Sequence, residues 1–163
     1  MFGWIDRHIW ALPAFIFLPF ELPLLILDEM HHAVLLAAVA SDSRKDVYSS
    51  LAGSAGGLLG FALAGVAILA AFAPKEASTP GARARERRLA DARNSIMKCL
   101  LSSSFFLLLV LIFSTIGLAI DDGKTGGSIV TSFVVSSCFA SIVGLFVSGL
   151  GLAMAVIERN TVV

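Results

Sequence analysis

The stretch Ile9–Leu27, IWALPAFIFLPFELPLLIL, decides how many times this chain crosses a bilayer. It is apolar and close to the roughly 20 residues a spanning helix needs, yet it holds Pro13, Pro19, Pro23 and, near its middle, Glu21. A proline inside a helix removes an N–H from the hydrogen-bond ladder and kinks it. The stretch therefore reads either as a Pro-broken first span or as a segment that enters the membrane without crossing.

Composition places the rest of the chain in lipid. Of the 163 residues, 57% are hydrophobic and 15% charged, and the mean hydropathy is +0.88. A soluble domain keeps about 25% of its residues charged, so this chain lacks the charge a water-facing surface requires. Twelve basic residues balance twelve acidic ones, and nothing in that total calls for nucleic acid. Cys99 and Cys138 both fall in apolar stretches, where cysteine behaves as a small hydrophobe.

Three further stretches have the length to cross: 51–73, 96–120 and 128–157. Leu51–Ala73 is uncharged for 23 residues, Cys99–Ile120 for 22 and Ser128–Ile157 for 30. In a bilayer each must be helical, because only a helix satisfies its own backbone groups. The fold expected is a single all-α integral membrane domain over residues 1–163. It is a four-helix transmembrane bundle of these three spans plus the Pro-broken N-terminal segment 9–27, with room for a helical extension outside the membrane.

Basic residues sort the connections. Segment 74–95 carries Lys75, Arg83, Arg85, Arg87, Arg88 and Arg93, whereas 121–127 carries only Lys124. The positive-inside rule makes the first a basic cytoplasmic loop and the second external. With four spans, nine basic residues lie inside and three (Arg44, Lys45, Lys124) outside. Both termini are then cytoplasmic, in a cell (inner) membrane. The first residues do not read as a cleavable signal, because Ala38-Val39-Ala40 lies behind Asp28, Glu29, His31 and His32.

The external segment 28–50 has two readings. A single helix from near Asp28 to near Ala73 is permitted by propensity. The alternative is a helix lying flat on the membrane, followed by a turn at Ser41-Asp42. Within 74–95, Arg83, Arg85, Arg87 and Arg88 are candidates for contact with lipid headgroups or a cytoplasmic partner, against the plainer reading of topology determination. The short likeness between residues 42–48 and 91–97 does not establish a repeat.

Small residues mark packing faces. Gly53 with Gly57, and Gly56 with Gly60 and Ala64, follow the spacing that lets helix backbones approach, as do Gly144 and Ser148 with Ser137 and Ser141. A homo-oligomer, or a place in a larger membrane complex, is expected. Hydroxyls at Ser103, Ser114, Ser137 and Ser141 are candidates for a polar path, although Ser and Thr in such helices also return their hydroxyls to the preceding turn.

Glu21 carries the sharpest hypothesis. A carboxylate at the centre of a spanning helix costs about 2.5–3.5 kcal/mol on insertion scales, and here Pro19 and Pro23 flank it. Broken backbone at membrane depth must be buried in protein or line water, so the group reads as an ion site or gate. The plain alternative is a shallow, kinked segment whose Glu21 reaches the interface. Glu29 and His32 share a helix face at the spacing of di-iron sites, a weak metal motif with no carboxylates gathered around it. No phosphate loop, nucleophile elbow or HExxH is present, so neither a cofactor nor enzyme activity is expected.

No motif assigns the chain to a family, and the Ala-, Gly- and Arg-rich composition points to a bacterial source. The leading expectation is a small oligomeric membrane protein that forms or gates an ion or small-solute pathway, such as a bacterial membrane effector. The alternative is a non-conducting structural or assembly subunit that docks a cytoplasmic partner through its Arg-rich segment.

Overall fold

The computed structural model describes residues 11–29, 35–71, 79–121 and 127–160. It contains four α-helices: α1 (Leu12–Glu29), α2 (Ser41–Ala71), α3 (Pro80–Ile120) and α4 (Ser128–Asn160), with a 3-10 turn at Leu35–Ala38. Among the described residues there is no strand.

Each long helix starts where its chemistry allows. Ala40 accepts the Arg44 N–H at 2.9 Å and so opens α2, and Gly127 accepts the Thr131 N–H at 3.0 Å to open α4. Thr79 does the same for Arg83 at 3.0 Å. Pro80 then takes the first helical position of α3, where its missing N–H costs nothing.

α3 is the spine of the bundle. α2 packs along one side of it and α4 along the other, while α1 lies mainly on α4. Gly56 and Gly65 of α2 face Leu111 and Leu100 of α3, and Gly144 and Gly151 of α4 face Ser103 and Ile96. Falling numbers on one helix meet rising numbers on the next, so each sequential pair is antiparallel. α1 follows the same rule against α4, with Glu21 opposite Ser132 and Pro13 opposite Gly144.

The polarity of the bundle is inverted relative to a soluble protein. Arg44, Ser103, Ser114, Ser136 and Ser137 are buried, whereas Phe61, Ile120, Met154 and Phe146 are between 66% and 75% exposed. Water would not tolerate so much contiguous apolar surface, and lipid does. α2, α3 and α4 are long and apolar enough to cross a membrane. The apolar part of α1, Leu12–Leu27, rises only about 24 Å at 1.5 Å per residue. That falls short of a core about 30 Å thick, and Ile9, where the expected first span begins, lies outside the described residues.

Three expectations change. α1 is one continuous helix with Pro19 and Pro23 inside it. Two N–H groups are missing, but packing on α4 holds the helix through them, as neighbours do for prolines in membrane helices. Of the two readings of 28–50, the single helix from Asp28 to Ala73 is excluded by the 3-10 turn at Leu35–Ala38, and α2 starts at Ser41, where the alternative placed its turn. Of the basic segment 74–95, expected as a loop, the part from Pro80 onward is helix, because α3 begins there and runs unbroken for 41 residues, about 61 Å. The arginines therefore ride on a stiff helical stalk.

One ion pair ties the elements together at the Asp121 end. Arg44, in the first turn of α2, donates Nε and Nη2 to the two carboxylate oxygens of Asp121 just after α3, with Nη2 to Oδ1 at 2.7 Å. Its Nη1 donates to the Val39 carbonyl at 2.6 Å and the Ala37 carbonyl at 3.4 Å. One turn along, Tyr48 is buried with its ring over Gly117. A Cβ at 117 would lie 2.8 Å from that ring, so glycine makes the approach possible. The guanidinium fork suits this site because it meets a carboxylate with two parallel bonds and has donors left for carbonyls.

Removing one member of a buried pair strands the other charge, so Asp121→Ala is expected to lower unfolding free energy by about 3–5 kcal/mol. A Cβ at Gly53 meets nothing within 4 Å, so Gly53→Ala is expected to raise it by about 0.5–1 kcal/mol through helix propensity. Reversible unfolding in mild detergent, followed by helicity, checks both.

Candidate functional site

Glu21 projects from α1 onto α4 and is 5% exposed. Ser132 donates its hydroxyl to Oε1 at 2.9 Å and also lies 3.1 Å from the Ile129 carbonyl, so one proton serves two acceptors. Oε2 is buried and makes no hydrogen bond. Ser136, one helical turn further along α4, is likewise buried with an unbonded hydroxyl.

The depth of this acid differs from its position in the sequence. Ser132 is in the second turn of α4, which starts at Ser128, so Glu21 sits near the Asp121 end of the bundle rather than at its centre. It is beside the N-terminus of α4, where the helix dipole favours an acid by about 0.3–1 kcal/mol. That placement and the Ser132 hydroxyl offset part of the cost of burying it.

Rings cluster beside Glu21. Phe17, one turn before Glu21, packs 5.3 Å from Phe106 and 5.7 Å from Phe133, and Phe133 stacks on Phe113 at 4.9 Å. Phe20 stacks on Phe139 at 4.9 Å. Aromatic contacts of this kind contribute about 0.5–1.5 kcal/mol each beyond area burial. The site is thus a buried contact of Glu21 with Ser132, next to an aromatic cluster made by α1, α3 and α4.

The hydroxyl residues divide into two groups. Ser103 donates to the Cys99 carbonyl at 2.9 Å, Ser141 to Ser137 at 2.6 Å and Ser148 to Gly144 at 2.8 Å. These hydroxyls satisfy themselves on the preceding turn and act as small packing residues. Ser114 and Ser137 are buried with unbonded hydroxyls. Both lie within the packed bundle, not on a surface facing a wide lumen.

The glycines divide as well. Gly56 packs on Leu111, and Gly144 is wedged against Ser103 and Pro13, while Gly53, Gly57 and Gly60 face open space. Of these four glycines on α2, one is therefore used within the chain and three are not. Pro19 and Pro23 are exposed on the outer side of α1. Arg83, Arg87 and Arg88 are exposed on the α3 stalk, and the side chain of Arg85 is not among those described. His32 lies outside the described residues, as does the side chain of Glu29. Among the described residues no three His, Cys, Asp or Glu side chains come together as a metal group.

Sequence reasoning missed the Arg44–Asp121 clamp, whose members are 77 residues apart. The available signal was topological, since both residues fall on the side assigned as external and carry opposite charge. Set against known protein families, characterised proteins and solved structures, the chain matches none.

A buried acid kept for structure loses stability when removed, and one kept for function does not. Glu21→Leu is expected to leave unfolding free energy unchanged or raise it by up to about 2 kcal/mol, as when buried charge is replaced by packed apolar atoms. Detergent unfolding beside wild type reads this directly, and a loss of more than about 2 kcal/mol would assign Glu21 a structural role.

Proposed function

We propose that this chain is a subunit of a small homo-oligomer in the cell membrane of a bacterium that forms or gates a path for an ion or small solute. Glu21 is its polar station and the Phe17, Phe106, Phe113 and Phe133 rings are its dry constriction. The observation that carries this reading is the buried Glu21 with Oε2 unbonded, beside a cluster of aromatic rings. Intramembrane acids are costly and mark ion or proton pathways, and apolar constrictions gate by excluding water.

In the proposed topology the Arg-rich stalk and both termini are cytoplasmic, and the Asp121 end faces outward. Glu21 is then reached from outside. No catalytic chemistry and no cofactor are assigned to the chain.

Two features support assembly with further copies. Gly53, Gly57 and Gly60 present a backbone-deep face with nothing against it, the kind of surface membrane helices use to pack. On α1, Pro19 and Pro23 leave the carbonyls of Phe15 and Pro19 without ladder donors, on a side where Phe15 is 60% and Leu22 58% exposed. Carbonyls without donors are costly in lipid and are tolerated against protein or water.

A second reading is favoured by the stalk. α3 continues from Lys98 back to Pro80 as helix, about 28 Å, and carries Arg83, Arg87 and Arg88 on its surface. A non-conducting assembly subunit that docks an acidic cytoplasmic partner uses such a rod.

Flux separates the two. In liposomes holding purified protein, wild type is expected to pass ions and Glu21→Gln and Glu21→Ala to reduce that flux by about tenfold or more, the loss expected when a charged station is removed. Absence of flux in wild type at any potential tried would contradict the pathway and leave the assembly subunit.

A further inference from the structure

The described residues between α1 and α2 form a short strap. The 3-10 turn Leu35–Ala38 leads through Val39 and Ala40 into α2, and it rests on α4 at the end where Ser132 meets Glu21. Ala37 is 5% exposed, although it belongs to a connection between helices. The 3.3 Å bond from the Val39 N–H to the Leu36 carbonyl closes the turn. Arg44 adds a polar tie to that packing: its Nη1 donates to the Val39 and Ala37 carbonyls while Nε and Nη2 grip Asp121.

Resting on the reading of Glu21 as the station of a pathway, we propose that this strap is the outer gate of the Glu21 site and that Arg44, latched on Asp121, holds it shut. Arg44 links two bodies that otherwise have separate reasons to stay in place. Asp121 is fixed by the end of α3, whose Gly117 carbonyl accepts the Asp121 N–H at 3.0 Å, and Arg44 is fixed by the first turn of α2. Of the strap carbonyls, those of Ala37 and Val39 are held by the guanidinium and that of Ala40 by the Arg44 N–H.

Loss of the fork frees the strap while α2 and α3 remain packed through Tyr48, Ala55, Leu107 and Val110. Lysine at 44 keeps the charge for Asp121. Its single ammonium lacks the fork that serves a carboxylate and two carbonyls at once. The latch is therefore a property of arginine and not of positive charge alone.

The test uses the full chain in liposomes, with Cys99→Ser and Cys138→Ala to remove native thiols and Ala37→Cys as the reporter. A membrane-impermeant maleimide is applied from the Asp121 side. With Arg44 intact, position 37 is expected to react slowly. With Arg44→Lys or Asp121→Asn it is expected to react at least about tenfold faster, as a locally opened segment does. A companion reporter, Ala140→Cys, is fully buried and is expected to stay unreacted in the same variants. Unchanged labelling at 37 overturns the latch. Labelling at both positions also overturns it, because the pair would then hold the bundle rather than the strap.

Ion flux through the same variants decides the gate. Faster labelling together with a rise in the flux that Glu21→Gln suppresses supports it, and faster labelling with that flux unchanged overturns it. If wild type carries no flux that depends on Glu21, the pathway reading fails and takes the gate with it, while labelling at 37 still decides whether Arg44 holds the strap.

Discussion

The Arg44–Asp121 pair is the constraint on which the arrangement of the Asp121 end depends. Lipid gives helices no hydrophobic reason to associate with one another, so the position of α2 against α3 rests on close contacts and on polar groups that have nowhere else to go. A guanidinium in a site with 0% exposure must have its donors met, and here a carboxylate and two backbone carbonyls meet them. Once that set is satisfied, the end of α3, the start of α2 and the turn between α1 and α2 share one geometry. Tyr48 over Gly117 then fixes the rotation of α2 about its axis.

The same logic distributes the other polar groups. Serines that bond their own preceding turn, such as Ser103, Ser141 and Ser148, fill the seam between α3 and α4 without demanding a partner. Glu21 has no such option. It lies near the start of α4 with one oxygen on Ser132 and the other unbonded, beside a cluster of phenylalanines. An acid held this way is poorly explained by packing, because an apolar side chain would fill the volume at lower cost. That contrast distinguishes Glu21 from the buried serines around it.

Much of this was legible in the sequence. Uncharged runs of 22 to 30 residues are long enough that nothing but a helix can hide their backbone in lipid, so α2, α3 and α4 follow from composition. Pro13, Pro19 and Pro23 misled, because their effect on a helix depends on what packs beside it, and Pro13 fits against Gly144 of α4. The basic segment reads as a loop when charge is counted, yet from Pro80 onward it has good helix formers and becomes the stalk. The depth of Glu21 and the pairing of Arg44 with Asp121 were not legible, since both depend on how helices register across the bundle. The hydrophobic pattern of a lipid-facing helix carries little register information.

The central claim is that Glu21 is the station through which ions or solutes pass, and covalent capture of its carboxyl during transport tests it most directly. Wild-type protein conducting in liposomes would be treated from the outer side with a water-soluble carbodiimide and an amine, and the extent of modification at Glu21 followed by mass spectrometry alongside flux. The account predicts that Glu21 is modified and that flux falls in proportion to the modified fraction. Full modification with flux unchanged, or steady flux while Glu21 stays unmodified, would contradict it.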